Sequence, residues 1–420
     1  MLPEELRKAR RRVVITGCGA VTPLALTAEE TWAALLEGRS GIRTITGFDA
    51  SDLPTSIAGE VRGFDPSAYV PHRVSRRMDS YAQYAVGAAV QALESSGLRL
   101  DSGTADRTGV LVGSGYGPVQ TNHSMVLTLR DKGPRFITPY SQVTGAMDSA
   151  AGEISMLTGA RGPSRALSTA CASGTDAIGE AAQWIRYGLA DAAITGGAED
   201  CITRVDIAGS GNAKALSVRV DEPQKASRPF DTDRDGFVMS AGAGIVVLEE
   251  AEAAVRRGAP ILAELIGYGA SSDAYHWTAP RKGGEGMKQA MRAAIDDAGI
   301  EPEEIGYVNA HGTSTPLNDE VETAAIRDVL GPHATTIPVS STKSMTGHMI
   351  GAAGAVELIA SVHVLGTGMV PPTINCENPL DKEMNYVAHV PQRRDVEVAM
   401  SNSFGFGGHN AVLLIRRWQE

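Results

Sequence analysis

The sequence predicts a layered α/β protein with largely parallel sheets, assembled from two similar halves. Three observations lead there. Strand-like apolar runs bounded by Gly or Pro alternate with helical patterns along the chain of 420 residues. Aromatic content is only 5% against 47 glycines, so packing must come from Ala, Val, Ile and Leu on closely approaching elements. A seven-residue motif also recurs, in the same kind of setting, late in the chain.

The elements follow in order. The start, MLPEELRKARRR, is charged and reads as a solvated tail. It leads into VVITGCGAV, a run too short and too Gly-broken for a membrane helix. TGVLVGSGYG, ALSTACASG, DAAITGGAED and GAGIVVLEEA continue as strands. A second series begins after about residue 260: ILAELIGYG, IGYVNAHG, IPVSSTKSMTG, VEVAMSNSFGFGG and NAVLLIRR. Between them SYAQYAVGAAVQALESSG and GMKQAMRAAIDDAG carry apolar residues at helical spacing. Strands alternating with helices imply crossover units.

The repeated motif is STACASG at 168–174 and STKSMTG at 341–347. Each follows an apolar strand and precedes a small-residue helix. Ala177, Ile178, Ala181, Ala182 and Ile185 mark the buried face of the first helix; Ala352, Val356, Ile359 and His363 mark the second. The shared context points to a duplication, with halves at 1–258 and 259–420. A pseudo-twofold axis between them would bring Cys171 and His348 together.

Composition narrows the function. A net charge of −11 and a pI near 5.4 argue against nucleic acid, which needs a dense basic face. Cysteines at 18, 171, 201 and 376 have neither metal nor disulfide-framework spacing, and no signal-peptide order is present. A reduced, cytoplasmic protein without membrane contact is expected.

Cys171 stands where a strand turns into a helix, a setting whose unpaired amides favour a thiolate. Cys18, Cys201 and Cys376 read as small hydrophobes, with Cys376 the more exposed. His311, in YVNAHGTSTPLND, follows a strand directly and lies in a Gly/Thr/Ser/Pro loop, where α/β proteins place reactive groups. His348, in STKSMTGHMIGAAGA, follows Lys343 by about a helical turn and becomes a candidate electrostatic donor through the repeat.

STACASG, VNAHGTSTPLND, SSTKSMTGHMIGAAGA and SNSFGFGGHN resemble the signatures of β-ketoacyl-ACP synthases, especially the synthase II branch. RPFDTDRDGFV and MVPPTIN look like further landmarks, and the likeness runs over nearly the whole chain. The resemblance implies the thiolase-like five-layered α-β-α-β-α sandwich. It implies that Cys171 receives an acyl group from acyl carrier protein as a thioester, while a malonyl extender on a second carrier loses CO2 and attacks it. His311 and His348 would donate N–H bonds to the enolate oxygen, and the backbone N–H groups of Cys171 and Phe404 would form the other oxyanion hole. Lys343 would tune the local field, paired with Glu322.

The resemblance also implies pantetheine contacts at Thr313 and Thr315, and a gate at Phe404 with the loop Gly405, Phe406, Gly407 and Gly408. Arg73, Arg76, Arg77 and Lys214 resemble a docking patch for the acidic carrier. Asn309, Glu357, Ser401 and Asn402 resemble a structural monovalent-cation site. No catalytic metal and no cofactor are expected, since phosphopantetheine arrives on the carrier. The assembly implied is a dimer, with itself or with a paralogous chain-length factor, and 136–150 are the candidate contact.

Some positions depart from the family pattern. Tyr116 stands where a small aliphatic is usual in the acyl pocket, and Ser141 and Gln142 fall where an aromatic and an aliphatic usually face the partner's pocket. Ser240, Ala241 and Trp277 are also unusual, while His409 is a familiar variant. Buried hydroxyls and amides without partners cost about 1–3 kcal/mol, so a functionalised chain would suit Ser141 and Gln142 better than plain alkyl. Fatty-acid elongation is the first reading; the ketosynthase subunit of a type II polyketide synthase is the alternative. A non-catalytic partner subunit is a remote possibility. So is a thiolase, which needs a second reactive cysteine near the C-terminus, and none follows Cys376.

Overall fold

The computed structural model describes residues 10–419. Ten strands form one continuous sheet: β1 (Val13–Val21), β2 (Thr108–Gly113), β3 (Ser164–Leu167), β4 (Ala192–Glu199), β5 (Gly242–Glu250), β6 (Ala263–Ser272), β7 (Ile305–Asn309), β8 (Val339–Ser340), β9 (Val398–Gly405) and β10 (His409–Arg416). The halves join at a seam where Val14 and Ile15 of β1 pair with Glu264 and Ala263 of β6. Outward from that seam one half runs β1-β5-β4-β2-β3 and the other β6-β10-β9-β7-β8. The second order is the first with every number raised by five, and the strand directions repeat as well.

Those directions correct the expectation of largely parallel sheets. In each half the outer two pairings are parallel and those nearer the seam antiparallel. The cause is visible at β9 and β10, which are joined by the short turn at 406–408. A connection that short reverses the chain, whereas a parallel pair needs a long crossover.

Five helices complete the layers: α1 (Ser80–Ser96), α2 (Ser173–Arg186), α3 (Glu285–Ala298), α4 (Pro316–Leu330) and α5 (Ala353–Thr367). Helix α1 covers the outer face of the first half and α3 that of the second, with α4 packed beside α3. Helices α2 and α5 lie between the halves and touch each other. The stretch Ile350–Thr367 is apolar and long enough to cross a bilayer, but 83% of it is buried here, so its apolarity is that of a core helix. On α2 the expected face, Ala177, Ile178, Ala181, Ala182 and Ile185, is wholly buried.

The solvated-tail expectation fails for its last residues. Arg10 pairs with Asp297, Arg11 with Asp191 at 2.7 Å and Arg12 with Glu264 at 2.8 Å, stitching the chain start to both halves. The rest of that segment, 1–9, lies outside the described residues. Cys376, expected to be more exposed, is buried.

Candidate active site

The two helix starts at the centre of the molecule are built alike. Ala170–Ala172 forms a 3-10 turn leading into α2, and Ile350–Ala352 forms one leading into α5. Both turns open on a residue in the left-handed region, Ala170 at φ 51° and Ile350 at φ 43°. The backbone equivalent of Cys171 is therefore Gly351. The motif alignment, which set Cys171 against Ser344, holds only as far as the strand ends. Beyond that the second half inserts extra residues, including the helical turn Lys343–Thr346. His348 lies in that insertion and not on a helix: its N–H donates to Val238 O at 2.7 Å, beside Met239.

The insertion brings His348 to Cys171 and His311. The two imidazole centroids stand 5.3 Å apart with planes at 83°. Cys171 Sγ and a ring nitrogen from each histidine lie within 4.8 Å of one another. At that limit, an atom central to the three stands about 2.8 Å from each (4.8 Å divided by √3). That is a hydrogen-bond length. A shared zinc would need about 2.0–2.3 Å, so the side chains would have to close in, beside the positive charge of Lys343. The arrangement suits a substrate oxygen better than a metal.

All three groups are buried and uncharged. Burial pushes the Cys171 thiol up to about 11; the Phe406 N–H, which donates to the sulfur, and Lys343 only partly offset it. The expected helix-start thiolate is thus corrected, because desolvation outweighs the amide field. Both histidines are held well below their ordinary value, by burial first and by Lys343 second. Neither ring nitrogen of His348 has a partner among the described residues, although both are buried. Such atoms are costly unless a ligand satisfies them.

Lys343 decides the tautomer of His311. Its ammonium lies 3.3 Å from His311 Nδ1 and donates to the His311 carbonyl at 2.6 Å. An ammonium has no lone pair, so Nδ1 must accept and the ring proton sits on Nε2. The ion-pair partner of Lys343 is Glu357, not Glu322 as expected. Glu322 instead accepts the N–H groups of His311 and Gly312, at 2.8 and 2.7 Å, and burial raises its carboxyl to about 7. Asp319, one turn earlier on α4, accepts the N–H groups of Thr313 and Ser314. Two carboxylates three residues apart thus hold the His311 loop. The spacing was legible in PLNDEVE, but nothing in it says which backbone it would bind.

The loop after β9 corrects a second assignment. Phe404 is buried in the core beside His311, at 6.0 Å between centroids, and also touches the cavity. The backbone N–H at the sulfur belongs to Phe406, whose ring meets Phe237. The amide expected at the sulfur from Phe404 is therefore that of Phe406. Gly405 lets the loop pack closely on the elbow: a Cβ there would press on the Cys171 nitrogen and the Thr169 carbonyl oxygen, each at 3.0 Å. Gly407 at φ 81° turns the loop back.

A cavity of about 250 Å³ opens onto Cys171, His311, His348, Phe404 and Phe406. Thr313 and Thr315 line it, their hydroxyls 2.9 Å apart, and Lys214 lies at its wall. Arg76 and Arg77 line a separate groove with Phe136 and Tyr140, and Arg73 is exposed nearby. Tyr116 is not among the residues that line this cavity. Ser141 is buried and Gln142 exposed, and neither reaches the cavity. Ser240, unusual in the sequence, bonds to the carbonyls of Gly59 and Thr346 and so braces the His348 insertion.

Asn309 Oδ1, Glu357 Oε2, Ser401 Oγ and Asn402 Oδ1 are all buried without hydrogen-bond partners among the described residues. Asn309 and Ser401 are register partners on β7 and β9. Four orphaned oxygens, one of them anionic, fit a hard monovalent cation.

A cysteine at a helix start, two neutral imidazoles and a lysine-fixed tautomer on a duplicated five-layer scaffold define a thiolase-fold enzyme of acyl transfer. The description "Beta-ketoacyl synthase, N-terminal domain" matches residues 10–254, and "Beta-ketoacyl synthase, C-terminal domain" matches 262–377. The chain belongs to the β-ketoacyl synthase family. It is 50% identical over 412 residues to a Vibrio cholerae protein named 3-oxoacyl-[acyl-carrier-protein] synthase 2, covering 97% of this chain and all of that one. A Staphylococcus aureus protein of the same name is 46% identical over 410 residues, covering 97% and 99%. Among solved structures, a type II PKS ketosynthase in complex with its acyl-carrier protein superposes with TM-score 0.90 at 33% identity, covering 97% of this chain and 100% of that one. The ishigamide ketosynthase/chain length factor gives 0.89 at 36%, covering 98% and 100%.

Proposed function

We propose that the protein condenses a Cys171-bound acyl chain with malonyl-ACP to give 3-oxoacyl-ACP, as an elongation enzyme of fatty-acid synthesis. The observation that carries this is the convergence of one sulfur and two unprotonated imidazoles on a point at hydrogen-bond distance from all three. The Cys171 sulfur attacks the thioester carbonyl of acyl-ACP, its proton leaves with the departing pantetheine thiol, and an S-acyl cysteine remains. Malonyl-ACP then breaks its carboxyl C–C bond and releases CO2. The enolate oxygen accepts N–H bonds from His311 and His348, which no positive charge on either ring is needed to supply. The enolate carbon attacks the Cys171 thioester, and the oxyanion is held by the N–H groups of Cys171 and Phe406. Collapse expels the Cys171 thiolate, which takes a proton from solvent.

The chain supplies every group in this sequence, so no cofactor and no catalytic metal is invoked. Thr313 and Thr315 would hold the pantetheine arm, and Lys214, with Arg73, Arg76 and Arg77, would receive acidic acyl carrier protein. A cation at Asn309, Glu357, Ser401 and Asn402 would neutralise the free oxygen of Glu357 and leave its other oxygen to Lys343. We read 1–258 and 259–420 as the duplicated halves and the cytoplasm as the location. The exposed Phe136, Tyr140 and Val143 support 136–150 as a face for a second subunit, where Ser141 and Gln142 would meet the partner's pocket.

The type II polyketide reading is kept because solved ketosynthases of that kind superpose over nearly the whole chain. The higher identity to proteins named synthase 2 favours fatty-acid elongation. Mass spectrometry of the acyl group on Cys171, purified with its native partner, separates them. A saturated alkyl chain supports elongation and a keto or polyene chain the alternative. Absence of any acyl adduct that Cys171→Ala removes would reject both.

A further inference from the structure

The matched helix starts differ in what lies opposite them. Strand β9 of the second half ends at Gly405, where a Cβ would lie 3.0 Å from the Cys171 nitrogen. Strand β4 of the first half, also eight residues long, ends at Glu199, against the Gly351 nitrogen. The pairs are reciprocal across the halves: Cys171 with Gly405, and Gly351 with Glu199. The Glu199 carboxylate, fully buried, accepts Gly351 N–H at 3.1 Å, Gly115 N–H at 2.7 Å, Tyr116 N–H at 3.3 Å and Ser114 Oγ–H at 3.0 Å. All four donors are neutral. A Cβ on Gly351 would stand 2.5 Å from the Gly115 nitrogen and 2.9 Å from Glu199 Oε2, so no side chain fits where its twin carries the nucleophile.

We propose that Glu199 is a positioning residue. Its carboxylate occupies the second half's counterpart of the Cys171 oxyanion amide, and in doing so clamps the turn Ser114–Tyr116 to the segment that carries His348. The turn lies against the Cys171 elbow: Ser168 Oγ bonds Gly115 O at 3.3 Å, and a Cβ on Gly115 would touch Ala170 O at 3.5 Å. His348 precedes Gly351 by three residues. One carboxylate therefore registers the wall behind the nucleophile against one of the enolate donors. The amide fold repeats in both halves, but an internal anion closes one copy and substrate must enter the other.

Ionisation matters to this clamp. Only the carboxylate offers acceptors alone to three N–H groups; protonation turns one oxygen into a donor facing them. Burial raises Glu199 to about 7, so the clamp weakens as pH falls through neutrality and is complete above it. The titratable groups facing it are Cys171, Cys201, Tyr81 and Tyr116, each pushed up by burial and neutral near pH 7. Its neighbour Asp200, raised to about 6, and Glu322 under the His311 loop, raised to about 7, are rival sources of an acid limb.

The inference rests on Cys171 as the acyl acceptor. The test compares Glu199→Gln and Ser114→Ala with the parent enzyme, measuring acyl transfer from acyl-ACP to Cys171 and, separately, alkylation by iodoacetamide between pH 5.5 and 8.5. In E199Q, acyl transfer at pH 8 should fall on the order of tenfold and lose its acid limb near pH 7, while alkylation is not slowed. In S114A, with one donor gone, the limb should move to higher pH. An E199Q enzyme that folds and keeps both the rate and the limb overturns the proposal and leaves the limb to Asp200 or Glu322. If E199Q does not fold, an unmoved limb in S114A overturns it. A parent enzyme that is alkylated but never acylated rejects the acyl-acceptor reading itself.

Discussion

The Lys343 ammonium lies 3.3 Å from His311 Nδ1 while forming an ion pair with Glu357. The lysine thus sets which nitrogen of His311 carries the proton, and it is itself fixed by a carboxylate on a central helix. Lys343→Met removes that donor and strands Glu357 in the core. Condensation should fall by on the order of 10²-fold, since His311 can then present the wrong nitrogen. Transfer of acyl groups to Cys171, which needs no enolate donor, should survive within severalfold. Equal loss of both steps would contradict the tautomer argument.

Removing either imidazole tests the donors directly. His311→Ala and His348→Ala should each reduce decarboxylation of malonyl-ACP by about 10²–10³-fold, the usual effect of deleting one preorganised donor. CO2 release and Cys171 acylation, followed in parallel, distinguish this from a collapsed site, which would abolish both.

The cysteine is a thiol at neutral pH. With its proton held up to about 11 by burial, the reactive thiolate grows as pH rises. Iodoacetamide inactivation should therefore increase about tenfold per pH unit from 7 to 10, each unit below the pKa being a tenfold change in ionised fraction. A rate that levels off by pH 8 would mean that the helix start outweighs desolvation after all.

Gly407→Ala places a side chain at φ 81°, a strain of about 1–2 kcal/mol for a non-glycine residue. The loop should relax away from the geometry that aims the Phe406 N–H at the sulfur. Acylation should slow several-fold while the fold is kept, which the melting temperature checks. An unchanged acylation rate would argue against Phe406 as an oxyanion donor.

The four orphaned oxygens predict a specific salt effect. At constant ionic strength, potassium or sodium should raise the melting temperature over tetramethylammonium, which is too large for the site, and Ser401→Ala should diminish the difference. A stability that tracks ionic strength alone would leave those oxygens unexplained.

Much of this was legible in the chain. The alternating runs predicted α/β layers, and the strand order repeats with its numbers shifted by five. Cys171 stood out at a strand-to-helix turn, His311 in a loop directly after a strand, and His348 through the repeat, although an insertion that the repeat alignment did not show is what carries it to the site. Side-chain partnerships were less legible. Lys343 took Glu357, fourteen residues on, over Glu322, because α5 runs through the centre beside it while Glu322 is engaged by the His311 and Gly312 amides. Phe404 and Phe406 are two residues apart on an extended strand and its turn, and only the turn geometry decides which amide meets the sulfur.

From sequence alone came the α/β layering and the repeat, which depend on periodicity, and the three candidate side chains, whose five-layered setting and roles the family resemblance implied. Only the tertiary structure decided the register of the repeat, the protonation of the site and the roles of Glu199, Glu322 and Glu357. Those depend on how deeply a group is buried and which distant amide faces it, and neither is encoded in neighbouring residues.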